Sequence, residues 1–213
     1  DYQSDLEIGI EPIIYHPLAK PELRRRVEAL APPATTSEVV EYPRVWLRGP
    51  NLLLLAGEAG RPLTIAVDFA QVGAGTDRLK WEVTDANGVR LTSGEAEPGE
   101  DALVTFTPDH DGLHYVLISA AGSKYALAGA DTPVGLYAGA KLHVMGGAER
   151  LYFAVPEGTE QFTLTGHGSS ARERVKVNVY APDGELASTA QSGAEEPFDA
   201  PVTVAPGADA GET

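Results

Sequence analysis

The chain has 213 residues, no cysteine, 23 glycines and 16 prolines, and its 31 acidic against 16 basic side chains leave a net charge of −15. Without cysteine there are no disulfide staples, Cys-ligated zinc, iron–sulfur clusters or thiol nucleophiles. The acidic excess argues against nucleic acid as a partner, because phosphate neutralisation needs a basic face, and against electrostatic docking on an anionic membrane.

At roughly 100–200 residues per domain, the length suits one large or two small domains. No apolar run approaches the ~20 residues of a membrane-spanning helix. Near the start, Leu6, Ile8 and Ile10 alternate with Glu7, Gly9 and Glu11, the period of a short strand. Glu11 to Pro17 is proline-bounded and extended. Pro21 to Leu30 is the best helix candidate: Pro21 suits the first helical position, Glu22 favours the N-terminal dipole, and Leu23, Val27 and Leu30 form one stripe. Ala31 to Ser37, rich in Pro and Thr, stops that helix and reads as a linker.

From there the pattern is β throughout. Val45 with Leu47, Leu52–Leu55, Leu63–Phe69, Leu79–Val83, Leu103–Phe106 and His114–Ser119 are strand-like, followed by an apolar piece to Leu127. Later come Leu151–Val155, Phe162–Leu164, Val175–Val179 and Val202–Val204. Turn signals punctuate them at Gly60, Asn87-Gly88, Asp111-Gly112, Gly158 and Asp183-Gly184. Two stretches read alike without a gap, Arg78–Gly88 and Arg174–Gly184, each an alternating strand closed by Asn-Gly or Asp-Gly. The likeness extends outward: Leu53–Ala56 matches Leu151–Ala154, and Val104–Pro108 matches Val202–Pro206. Trp81 falls opposite Val177 in this alignment, an inward position that favours core packing.

The expected fold is therefore all-β: two tandem antiparallel β-sandwiches of jelly-roll type after a short strand–helix remnant. Residues 1–37 are expected to be the tail of a preceding domain plus a linker, 38–145 the first sandwich and 146–213 the second. The second copy stops where the first continues into Leu113–Ala120. It is expected to be one strand short, completed by sequence beyond Thr213 or by another chain.

The second copy, with its Leu151-Tyr-Phe-Ala-Val155 strand, the Pro156-Glu-Gly158 turn and the Pro182-Asp-Gly184 hairpin, resembles bacterial pre-peptidase C-terminal-like domains and related jelly-roll accessory modules. The resemblance spans about residues 50–213. It implies a non-catalytic accessory region of a secreted bacterial hydrolase, here one acting on polysaccharide, located outside the cell or in the periplasm. Polysaccharide and the parent catalytic domain are the partners it implies. Two other readings remain open: a purely structural module docked on its parent catalytic domain, and part of an enzyme with a carboxylate site in the loops.

Asp85, Asn87, Asp109, Asp111 and Asp183 fall in expected loops and offer oxygen ligands. Asp109 with Asp111 is the sharpest candidate for a structural calcium, the one ion such modules imply, although turn formation accounts for these residues as well. Sugar-binding modules stack pyranose rings on exposed aromatic faces, and Trp46, Tyr125 and Tyr137 are the candidates here. In a strand over Arg44–Arg48, Trp46 shares a face with Arg44 and Arg48, opposite Val45 and Leu47. His110 and His114 are four apart, but Asp111-Gly112 breaks any helix between them, and no H-E-x-x-H metalloprotease motif occurs. Gly166–Ser170 reads as a glycine-rich loop rather than a nucleophile elbow. No catalytic residue is assigned.

Overall fold

The structure is a computed structural model. It describes residues 3–6, 40–41, 44–137, 142–146, 151, 155, 159–168, 173–181, 184–192 and 198–203. Sixteen strands and no helix occur among them. The fold is all-β, with two antiparallel sheets packed as a sandwich. The helix expected over Pro21–Leu30 and the linker after it lie outside the described residues. The chain divides into two compact units, one of His16–Tyr137 with Ala148–Leu151, the other of Asp1–Tyr15, Ala138–Gly147 and Tyr152–Thr213.

The first strand, β1 (Gln3–Leu6), belongs to the second unit. The sandwich lies in the first. Its strands are β2 (Val40–Glu41), β3 (Trp46–Arg48), β4 (Pro50–Gly57), β5 (Leu63–Ala70), β6 (Leu79–Asp85), β7 (Arg90–Ala96), β8 (Ala102–Phe106), β9 (Gly112–Ser119), β10 (Lys124–Ala130) and β11 (Val134–Tyr137). One sheet runs β3–β10–β5–β8, with β2 also on β10; the other runs β11–β4–β9–β6–β7. Alternation places the core. Leu63, Ile65, Val67 and Phe69 on β5 are buried, and the residues between them are not. Their register partners Val104 and Phe106 on β8 and Tyr125 on β10 are buried too. From the facing sheet come Leu53, Leu55, Val83, Val116 and Ile118. Each fully buried side chain of this size stabilises the fold by about 1.5–3 kcal/mol.

Polar side chains interrupt that core: Asn51, Asp85, His114, Ser123 and Thr132 are buried. Asn51 on β4 donates from Nδ2 to the Tyr125 hydroxyl on β10 at 2.8 Å, a hydrogen bond that ties one sheet to the other. His114 on β9 is fully buried beside Asp85 on β6, its partner in the register.

The second unit has β12 (Leu142–Met145), β13 (Gln161–Gly168), β14 (Lys176–Tyr180), β15 (Leu186–Gln191) and β16 (Phe198–Thr203) besides β1. Its strands are ordered β16–β13–β1–β12, and β14 and β15 form a hairpin. Leu164, Val175, Val179, Ala200 and Val202 make its core, with Phe162, Val177 and Ala190 packed against them. The Gly166-His-Gly168 stretch, expected in a loop, ends strand β13, where Gly166 pairs with Phe198. A mixed glycine–histidine sequence has no hydropathy alternation, so the pairing partner decides its state.

The β6–β7 and β14–β15 hairpins close alike. Gly88 N–H donates to the Asp85 carbonyl and Gly184 N–H to the Ala181 carbonyl, while Asp85 N–H reaches Val89 and Ala181 N–H reaches Glu185. Gly88 and Gly184 both take positive φ, 82° and 86°, the conformation that suits glycine. Each hairpin carries a bulge just before its turn, at Val83/Thr84 and at Val179/Tyr180.

Candidate functional site

At the turn end of the sandwich, the β6–β7 and β8–β9 connections bring four titratable side chains near one another. Asp85 anchors the first. Its Oδ1 accepts from the backbone N–H groups of Asn87 and Val89 at 2.8 and 2.7 Å, and its Oδ2 from Asn87 Nδ2 at 3.0 Å. Burial pushes this carboxyl up, but those donors and the nearby His110 outweigh it and hold the group below its ordinary 3.8. A depressed carboxylate contributes stability above its unfolded value that is lost as pH falls through its folded one. Asp85→Ala is expected to lower the melting temperature at pH 7 by roughly 3–6 °C, with the gap to wild type closing as the pH is taken below 3.8 in thermal melts. An equal gap at every pH would mean that the charge plays no part.

The second connection carries Asp109, His110 and Asp111. Asp109 Oδ1 lies 2.5 Å from His110 Nδ1. The His110 ring centroid is 5.2 Å from that of His114, and the Phe106 ring centroid is 5.6 Å from it, both rings tilted against the imidazole. Asp109, His110 and His114 each offer a ligand atom within 4.8 Å of the others. His114 Nδ1 is 3.1 Å from the Gly112 carbonyl. A carbonyl only accepts, so Nδ1 carries the proton and Nε2 keeps its lone pair. That Nε2 is buried and has no hydrogen-bond partner. Burial lowers the His114 pKa, with the Gly112 carbonyl opposing, and favours the neutral ring. Asp111, expected to pair with Asp109, instead accepts from Ala59 N–H at 2.8 Å and pins the β4–β5 turn. The partners of Asp109 are therefore imidazoles. Absence of a helix hid this from the sequence: a tight turn at the mouth of β9, not helical spacing, brings His110 back over His114.

The outer face of the β11–β4–β9–β6–β7 sheet is a second surface of note. Register places Tyr137, Leu52, Leu117, Glu82 and Ser93 in one row across all five strands. Beside it runs Gly135, Leu54, Tyr115 and Thr84, and on the other side Ser119, Lys80 and Glu95. The face thus grades from apolar at β11 to charged at β7. Leu117 is 50% exposed. A shallow depression of about 480 Å³ opens between Lys80, Glu82, Ser93, Glu95, Leu117 and Ser119. Its rim is fixed by ion pairs of Arg78 with Glu95 and Glu97, and of Arg90 with Glu82 at 3.7 Å.

The aromatic candidates fare differently. Tyr137 lies half-buried at the apolar end of that face. Tyr125 is a correction: it is 0% exposed and bonded to Asn51, so its ring presents no face to a sugar. Trp46 shares the outer face of its strand with Arg44 and Arg48, while Val45 and Leu47 are buried. Its indole, however, holds Lys124 Nζ 4.5 Å and Arg44 Cζ 5.5 Å from the ring centroid. Arg44 also makes an ion pair with Asp68 at 2.5 Å. Trp46 is thus a cation–π clamp on its sheet, not an open platform.

No protein-family model matches the chain, and no curated protein matches it. Among solved structures it is similar to a β-glucuronidase from Ruminococcus gnavus in complex with uronic isofagomine, at 10% identity and a TM-score of 0.21. That match covers 79% of this chain, which spans 38% of the enzyme's length. A likeness this weak carries no argument about function.

Proposed function

We propose that this chain is a non-catalytic β-sandwich module that holds polysaccharide on the outer face of its β11–β4–β9–β6–β7 sheet, as an accessory region of a secreted glycoside hydrolase acting outside the cell or in the periplasm. The row Tyr137–Leu52–Leu117–Glu82–Ser93 supports this reading. A pyranose has an apolar C–H face and a rim of hydroxyls. Tyr137, Leu52 and Leu117 suit the first; Glu82, Ser93, Lys80 and Glu95 suit the second. The open, shallow form of the depression fits an extended polymer crossing the strands better than a small enclosed ligand.

Affinity electrophoresis against a panel of neutral and acidic polysaccharides tests it. At least one polymer is expected to retard the chain, and the double variant Tyr137→Ala, Leu117→Ala to weaken that retardation about tenfold. Uniform migration across the panel would remove the glycan reading. The same apolar row, with Leu117 exposed, would then favour the structural alternative, a module docked through this face on its parent catalytic domain.

A further inference from the structure

On the inner side of strand β9, away from the outer face, the chemistry differs. Asp109, His110 and His114 each have a donor atom within 4.8 Å of the others, and separately the His114 ring carries a buried nitrogen, Nε2, with no hydrogen-bond partner. A buried polar atom left unbonded costs stability unless something fills its valence, and such an orphan in a folded core calls for an explanation. Every other feature of the His114 ring is that of a prepared ligand. Its Nδ1–H is fixed on the Gly112 carbonyl at 3.1 Å, the outer hydrogen bond that metal-binding histidines use to present Nε2. Its ring is confined by Phe106 and His110. It also sits against Gly57, where an added Cβ would come within 2.7 Å of Nδ1. The glycine leaves room for the imidazole.

We propose that Asp109, His110 and His114 bind one divalent cation of the zinc class. Two imidazoles and a carboxylate match zinc, and nickel or copper by the same donor preference; calcium takes six to eight oxygens, which this site does not supply. Donors on a tetrahedral zinc ion with ~2.0–2.1 Å bonds stand roughly 3.3 Å apart. Closing the cluster to that spacing is work for Asp109 and His110, whose side chains are the exposed members; His114 stays in place. Three protein ligands leave a fourth position for water. The ion would clamp the β8–β9 turn onto strand β9, and the carboxylate of Asp85 across the register from His114 adds a favourable field.

Zinc ions alone are the probe, titrated into the full chain by calorimetry and followed by the side-chain ¹⁵N resonances of histidine. One zinc per chain is expected, with the His110 and His114 rings shifting together. His110→Ala is expected to weaken binding by ~100-fold and the exposed Asp109→Asn by ~10-fold, the latter with a melting curve matching wild type in the absence of zinc. The proposal is overturned if the His114 resonances do not move, if both variants bind zinc as tightly as wild type, or if equimolar calcium displaces the zinc.

Discussion

Tyr125→Ala is expected to destabilise the sandwich by about 3–5 kcal/mol, the range for deleting a buried aromatic ring. The ring is 0% exposed and lies in register between Leu47 and Phe69, so its removal leaves a hole in the inner face of one sheet. It also removes the Tyr125 hydroxyl that accepts from Asn51 Nδ2 at 2.8 Å; among the described residues the Arg48 and Gly49 carbonyls are left at 3.4 Å. Tyr125→Phe separates the two losses. It keeps the ring and is expected to cost about 1 kcal/mol, the net worth of one buried hydrogen bond. The pair also differs in alkali. Burial raises the Tyr125 phenol well above its ordinary 10.0, with the Asn51 amide opposing. A group raised in the folded state gives its full stabilisation below the unfolded value and loses it as pH rises through the folded one. Wild type is therefore expected to lose about 1 kcal/mol from this group between pH 10 and pH 11, a loss absent from Tyr125→Phe. Urea unfolding at pH 8 and pH 11 reads both effects. Parallel alkaline losses in the two proteins would show that the phenol is not buried as described.

Tyr125 also marks where the sequence stops being legible. Strand β5 announces its phase because Leu63, Ile65, Val67 and Phe69 alternate with less apolar neighbours. Strand β10 reads Lys-Tyr-Ala-Leu-Ala-Gly-Ala, and alanine and glycine suit either face. Only pairing with β3 and β5 turns Tyr125 inward, so a candidate ring for sugar stacking proves to be core. Strands β7 and β15, Arg90–Ala96 and Leu186–Gln191, mix polar side chains with alanine or glycine and a single leucine each. They sit last in their ladders, where one face has little to bury, and hydropathy gives them no period. Their turns are readable all the same, because Gly88 and Gly184, each after an Asn or Asp in the sequence, supply the positive φ that such hairpins need. The metal-type cluster was half legible. Asp109 stood out as an acid in a turn, but its histidine partners are joined through the β8–β9 connection rather than through any linear spacing.

Gly94→Ala is expected to destabilise the same sandwich by about 1–3 kcal/mol, the cost of overpacking a filled site. Gly94 pairs with Trp81 across the β6–β7 ladder, and the indole lies over the glycine. A Cβ there would stand 2.3 Å from Trp81 Cζ2 and 2.6 Å from Cε2, well inside contact distance, so the ring must leave. It has little freedom to do so. Trp81 shares the inward face of β6 with Leu79 and Val83, both fully buried, and pairs with buried Ile118 on β9. The half-buried indole thus closes the edge of the core where strand β7 offers only glycine and small residues. A cycle with Trp81→Ala tests the cause: once the indole is gone, Gly94→Ala is expected to cost nothing or to help by reducing the freedom of the unfolded chain. Gly88→Ala, strained by its φ of 82° instead, is expected to cost about 1 kcal/mol with or without Trp81. If Gly94→Ala and Trp81→Ala prove additive in urea unfolding, the indole does not rest on this glycine, and the edge of the core is closed by some other group.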